Sequence, residues 1–155
     1  MKLHPQWISG FVDGEGTFYI GITKHPEMTA GYQVMPEFRI VQHKRDIQLL
    51  YALKSFFKSG VVRINHDDRY ELRIRKLDSL AKVIVPFFEK NQLQTKKVHD
   101  FIKFRKIILA MQSGMHLSKE GVCEIIRIAK EMNRKIKPVA EQIEKDILGK
   151  DIVRT

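Results

Sequence analysis

The chain has 155 residues, 43% of them hydrophobic and 30% charged, which suits one domain and excludes a wholly disordered tail. Lys and Arg number 28 against 18 Asp and Glu, a formal charge of +10. This field draws in polyanions, nucleic acid first and an anionic membrane surface second, with solvated lysines on helix faces as the partner-free reading. The single cysteine, Cys123, excludes an internal disulfide and a Cys-rich zinc site, and the apolar stretch from Val83 to Phe88 is far too short to span a bilayer.

Pro5 can occupy the first turn of a helix on which Trp7, Ile8, Phe11 and Val12 recur at helical spacing, and Gly14 and Gly16 are expected to stop it. From Thr17 the period changes to two: Phe18, Ile20 and Ile22 alternate with Tyr19, Gly21 and Thr23. A loop with Pro26 and Gly31 leads to a second strand whose Val34, Pro36, Phe38 and Ile40 share a face, Pro36 suggesting an edge or a bulge. Asp46 is expected to cap a helix carrying Ile47, Leu50, Leu53 and Phe57, with Gly60 as its stop. Two more strands follow, Val62 and Ile64 marking one, and Tyr70, Leu72 and Ile74 the other, joined by a turn at Asp67 and Asp68. Asp78 is expected to cap a short helix limited by Pro86. Val98, Phe101 and Ile108 form one helical stripe; Val122, Ile125, Ile126, Ala129 and Met132 form another, capped by Ser118. Pro138 opens a last helix that Gly149 closes.

The order α-β-β-α-β-β-α, with helices after it, makes an α+β fold: a four-stranded antiparallel sheet packed on helices on one side only. The expected organisation is a single domain over 1–155, with a core over about 1–117 and C-terminal helices over about 118–149. The other sheet face looks outward and carries Arg63, Asn65, Arg69, Arg73 and Arg75 on two adjacent strands. Four arginines with one acid between them are denser than solubility requires, so this face is read as a binding surface.

The stretch Ile8-Ser9-Gly10-Phe11-Val12-Asp13-Gly14-Glu15-Gly16 places a carboxylate at the C-terminal tip of the first helix, where the helix dipole disfavours an anion. A hard divalent cation held by Glu15 and a free backbone carbonyl would resolve the conflict. Gly10 and Gly14, four residues apart, permit close approach of a second helix. On physics alone the alternative stays open: a glycine-rich helix stop with a solvated glutamate.

This nonapeptide resembles, position for position with conservative changes, the motif of the LAGLIDADG homing endonucleases. The element order, the length, the basic charge and the Lys96–Lys97 pair resemble a single-motif member over roughly the first 110 residues. The resemblance implies two such helices packed side by side, with Trp7, Gly10, Phe11 and Gly14 at the contact. It implies that Glu15 and the Gly14 carbonyl hold metal, that Asp13 serves the helix end and is not a metal ligand, and that Gln42 orients water. Basic groups near the scissile phosphate would come from Lys44 or Arg45 and from Lys96 or Lys97, with Lys96 taken as the catalytic lysine. The same register puts Asp46 at a usually basic position and Gln94 at the usual lysine.

One motif per chain and two strands to cut imply a homodimer on a near-palindromic duplex. The expected cofactor is Mg²⁺; Ca²⁺ could replace it without supporting cleavage, and Mn²⁺ is possible. A strand of about ten residues spans ~34 Å, so each subunit could follow a half-site along the major groove. Outward candidates are Tyr19, Thr23, His25, Gln33, Glu37, Arg39, Arg63, Asn65, Arg69, Glu71, Arg73 and Arg75, with Lys24 and Lys44 nearer phosphate. The alternative is a non-cleaving intron RNA maturase, with its own intron RNA as partner, or a DNA-binding regulator on the same scaffold; a ribosome-associated protein would leave the helix tip unexplained. No signal-peptide core follows the N-terminus, so an intracellular setting is expected, without a membrane partner.

Overall fold

A computed structural model describes residues 1–132 and 142–148. Helix α1 (Pro5–Glu15) starts where expected. His4 precedes it with its ring Nδ1 accepting the Gln6 amide, and Pro5 sits in the first turn, where an N–H has no helical partner. The helix runs through Gly14 to Glu15 and passes directly into β1 (Gly16–Lys24). Gly16 is required there by closeness: a Cβ would lie 2.6 Å from the Val12 side chain.

β1 pairs antiparallel with β2 (Tyr32–His43), Gly16 opposite Ile40 and Lys24 opposite Tyr32. β3 (Val61–His66) and β4 (Arg69–Ile74) complete an antiparallel sheet of order β1-β2-β4-β3. β2 is thus a central strand despite Pro36. Its pairing with β4 begins only at Phe38, so the segment carrying Pro36 is bonded on the β1 side alone. β3 is the edge. Ile64, expected to face the core, is exposed near a register shift between Ile64 and His66. Asp67 takes a positive φ in the β3–β4 turn, a conformation aspartate tolerates.

A 3₁₀ turn (Lys44–Asp46) leads to α2 (Ile47–Phe57). Asp46 stands at the cap position but makes no capping hydrogen bond; the ring of His43 accepts the Arg45 amide instead. Lys58 closes α2 in the left-handed region and Gly60, at φ 99°, lies just before β3, so the stop comes two residues before Gly60. Asp78 lies inside the first turn of α3 (Leu77–Ser79), not at its cap, and pairs with Lys82. A π-helical turn (Leu80–Ile84) then carries the chain into α4 (Val85–Lys90). Pro86 therefore does not end the helix: it occupies the first turn of the segment after the π turn.

α5 (Lys97–Gln112) crosses the inner face of the sheet, and α6 (Lys119–Ala129) packs on α5. Ser118 caps α6 as expected, its hydroxyl oxygen accepting the Gly121 amide at 3.0 Å. The helix expected from Pro138 to Gly149 has both ends outside the described residues; 142–148 are helical. Phe18, Ile20, Ile22, Phe38, Ile40, Leu72 and Ile74 project from the sheet into one apolar core. The Phe18 ring lies 5.2–5.6 Å from those of Phe38, Phe88, Phe101 and Phe104. The core does not stop near residue 117, because Val122, Ile125, Ile126, Ile143 and Ile147 belong to it. No helix among the described residues is long and apolar enough to cross a membrane.

Candidate functional site

α1 presents two unlike flanks. On one, Ile8 and Val12 enter the core, and the buried Ser9 hydroxyl reaches the Asn91 and Gln92 carbonyls at 2.9 and 3.1 Å. One turn later Asp13 accepts the Gln94 amide at 2.6 Å, the Thr95 amide at 3.1 Å and the Thr95 hydroxyl at 2.5 Å. Ser9 and Asp13 are four residues apart and so share a face, and together they fasten the 91–95 loop along the helix. On the other flank Trp7 is 46% exposed and stacks on Phe11 with ring centroids 5.0 Å apart. A Cβ built on Gly10 or Gly14 would meet nothing within 4 Å. This flank is bare, flat at its glycines, and aromatic at its N-terminal half.

Both flanks end at Glu15, the last helical residue, which is exposed. Two donors converge on the Val12 carbonyl one turn back: the Gly16 amide and the Lys97 ammonium, the latter at 3.0 Å. Burial pushes Lys97 below the ordinary lysine value, while Asp13, Asp100 and Glu15 pull the other way. Burial raises the Asp13 carboxyl, but its bonds to Thr95 and Gln94 and the nearby Lys97 leave it below its usual value.

Lys96, taken as the catalytic lysine, is exposed at the N-cap of α5; Lys97 is the one whose ammonium reaches the α1 tip. The signal was in the phase of α5: Lys97, Phe101, Phe104 and Ile108 share a stripe, and the last three are buried. Gln94, at the usual lysine position of the resemblance, uses its backbone amide to hold Asp13. Asp13 thus serves the helix end, as expected. Gln42 lies half-buried near the end of β2, two residues beyond Ile40, the partner of Gly16, and so beside the α1–β1 junction. Lys44 is exposed and pairs with Asp68 at 3.4 Å. Arg45 is exposed beside Asp46.

The outward sheet face gathers most of the candidate contacts. Thr23, Arg63, Arg69 and Arg75 are exposed, and Tyr19, Gln33, Arg39, Asn65 and Arg73 are partly so. His25 lies half-buried just beyond the end of β1, and Lys24 pairs with Asp146 at 2.9 Å. Two expected outward contacts are corrected: Glu37 and Glu71 point outward, yet they are only 3% and 5% exposed because arginines cover them.

Among the described residues no group of three or more His, Cys, Asp and Glu side chains could hold a metal ion. The α1 tip offers an exposed carboxylate on Glu15 and open space at Gly14, whose carbonyl is a second hard oxygen donor. That donor set has the chemistry a hard divalent ion takes.

The LAGLIDADG endonuclease family model matches residues 8–108. "Probable intron-encoded endonuclease 2" of Neurospora crassa is 34% identical over 133 residues, covering 84% of this chain and 29% of that protein. The chain therefore spans less than a third of that relative's length. The crystal structure of the homing endonuclease I-TnaI superposes with a TM-score of 0.87 at 59% identity, over 92% of this chain and 99% of that one. Meganuclease I-SmaMI, solved bound to uncleaveable DNA, superposes with a TM-score of 0.84 at 32% identity, over 86% of this chain but 46% of its own. By the match over more than half of its length and by its fold, the chain belongs to the LAGLIDADG endonuclease family.

Proposed function

We propose that this chain is a site-specific homing endonuclease: two copies pair through α1 and make a metal-dependent double-strand break in a long, near-palindromic DNA target. The observation that carries the reading is the α1 flank of Trp7, Gly10, Phe11 and Gly14, bare of contacts at both glycines and leading straight to the exposed Glu15. Side chains that large on a solvent-facing helix suit a covered surface, and glycines four apart let a second copy of α1 approach closely. Superposition of this chain on about half of I-SmaMI supports the same arithmetic, two copies standing for one double-length chain.

Pairing α1 with its symmetry mate brings two Glu15 carboxylates and two Gly14 carbonyls together at one end of the helix pair. Those four groups would hold divalent metal, Mg²⁺ in the first instance, which when bound activates water and stabilises the leaving oxygen. The chain's own residues do the rest. Asp13 holds the 94–95 loop, so that α5 begins at a fixed distance from the tip. Lys97 keeps an ammonium beside the tip, where a phosphate would bring negative charge. Gln42, at the α1–β1 junction, is placed to orient water. The arginine-rich sheet supplies affinity for the duplex and reads its edge.

The test is Gly10→Leu, which meets open space within one chain and so should leave each copy folded. Sedimentation on duplex DNA should show two copies of wild type and one of the variant, with DNA cutting lost in step. A variant that still pairs and cuts would overturn the α1 interface.

A further inference from the structure

The outward sheet face carries two carboxylates that solvent scarcely reaches. Glu37 takes Arg75 at 2.7 Å, the guanidinium Nε–H donating, and Arg39 at 3.2 Å. Glu71 has Arg63 at 3.6 Å, Arg39 at 3.9 Å and the Asn65 amide at 3.4 Å. Arg39 thus bridges the two acids across β2 and β4. A buried charge persists only when paired and hydrogen-bonded, so each acid is committed to the arginines over it.

Arg73 differs from its neighbours. It stands opposite Arg39 on β2 and Val61 on β3, in the middle of this lattice. Among the described residues it makes no ion pair, and nor does the exposed Arg69 at the start of β4, whereas Arg39, Arg63 and Arg75 each make at least one. Burial disfavours its charge, and Arg75 and Arg63 add like charge to that, against the pull of Glu37 and Glu71. An arginine held among arginines, half-buried and without an ion pair of its own, is pre-oriented for an acceptor pair that arrives from outside. A phosphate and the O6/N7 edge of guanine both offer such a pair. The position decides between them: β4 is an inner strand, and Arg73 sits between Arg39 of β2 and Val61 of β3, away from the rim of the sheet where a backbone phosphate would approach.

Resting on the proposed DNA-binding function, we infer that Arg73 is the specificity-determining arginine of the sheet, taking a guanine edge in each half-site. Glu37 and Glu71 are positioning residues that fix Arg39, Arg63 and Arg75 around it without touching DNA. The acids therefore lower the net charge of the face while narrowing what the arginines can reach. This separates affinity from discrimination.

The experiment recovers bound DNA from a randomised duplex library on immobilised protein and sequences it, for wild type, Arg73→Lys, Glu37→Gln and Glu71→Gln, with thermal unfolding of each. Arg73→Lys keeps the charge but not the planar fork. It should lose roughly 5- to 150-fold of preference at one base pair per half-site with total binding nearly kept. Glu37→Gln and Glu71→Gln should bind random DNA more tightly and discriminate less at several positions. Equal loss across all sequences in Arg73→Lys would make it a phosphate contact and overturn the inference. Loss at a single base pair in Glu37→Gln or Glu71→Gln would mean that the carboxylate itself reads a base, which also overturns it. If Glu37→Gln does not fold, Glu71→Gln and Arg73→Lys carry the test. A wild type that enriches no sequence refutes the DNA-reading function itself, a result distinct from the others.

Discussion

Asp13→Ala removes the side chain that ties α1 to the loop before α5, and its consequences can be worked through. Three donors lose their acceptor: the Gln94 amide at 2.6 Å, the Thr95 amide at 3.1 Å and the Thr95 hydroxyl at 2.5 Å. A hydrogen bond to a charged group is worth about 1.5–3 kcal/mol when buried. These bonds are solvent-accessible, so the trio together is assigned roughly 1.5–3 kcal/mol. Asp13→Asn should fall between, because its oxygen can serve Thr95 while its amide meets the Gln94 amide donor to donor. The acid limb supplies a second reading. The folded carboxyl is held below its ordinary value, so its contribution is fully present above the unfolded value of about 3.9 and is lost as pH falls through the folded one. Urea unfolding at pH 7 and on the way down to acid should show wild type losing this increment and Asp13→Ala never having had it. DNA cutting should fall as well, since Lys97 loses its fixed start. Stability within about 0.5 kcal/mol of wild type, the range of ordinary surface changes, with an unchanged acid limb, would refute the clamp.

Lys97→Met should cut DNA cleavage by at least about 100-fold, the scale of losing one pre-set donor, with Lys96→Met much milder; single-turnover cleavage measures both. Because burial lowers the Lys97 ammonium, stability should rise with pH through its folded value toward the ordinary lysine value, a rise missing from Lys97→Met in alkaline unfolding curves. Phe104→Ala, at 0% exposure against the Phe18 ring, should cost about 3–5 kcal/mol by urea unfolding. Gly121→Ala would drive a Cβ into the Met115 carbonyl oxygen. That forces the turn before α6 to move, and a loss of about 1–3 kcal/mol is expected in thermal or urea unfolding.

Much of the fold was legible because burial imposes a period. Phe18, Ile20 and Ile22 alternate because β1 has helices under one face only, and Ile125 and Ile126 recur because α6 turns one side to α5. The misses have local causes. Ile64 follows the strand alternation, yet at the sheet edge, near the register shift, there is nothing for it to pack against. Pro86 reads as a stop, but a π turn sets it in a first turn, where its missing N–H costs little. Asp46 and Asp78 have the chemistry of caps without the geometry: the His43 ring accepts the Arg45 amide in place of Asp46, and Asp78 is engaged by Lys82 from within the first turn. Within the site, spacing put Glu15 at the helix tip and Gly10 and Gly14 on one face, whereas their roles are what the family resemblance implies. The partners of Ser9, Asp13 and Lys97 lie more than 80 residues away, so local pattern could put Asp13 at the helix end and Lys97 on the inward stripe of α5 without showing what either one touches. Alternation correctly placed Glu37 and Glu71 on the outward face; their burial arises from arginines on neighbouring strands, and so from register.

The central claim is that Glu15, contributed once by each of two copies, makes the break. The direct measurement is to offer wild type and Glu15→Gln, each with Mg²⁺, a library of partly randomised palindromic duplexes and to sequence the cut ends. Staggered ends at a near two-fold sequence from wild type, and none from Glu15→Gln, are the expected result. Cuts that persist in Glu15→Gln, or wild-type binding without any cuts, would contradict it, the latter result favouring a non-cleaving maturase or regulator on this scaffold.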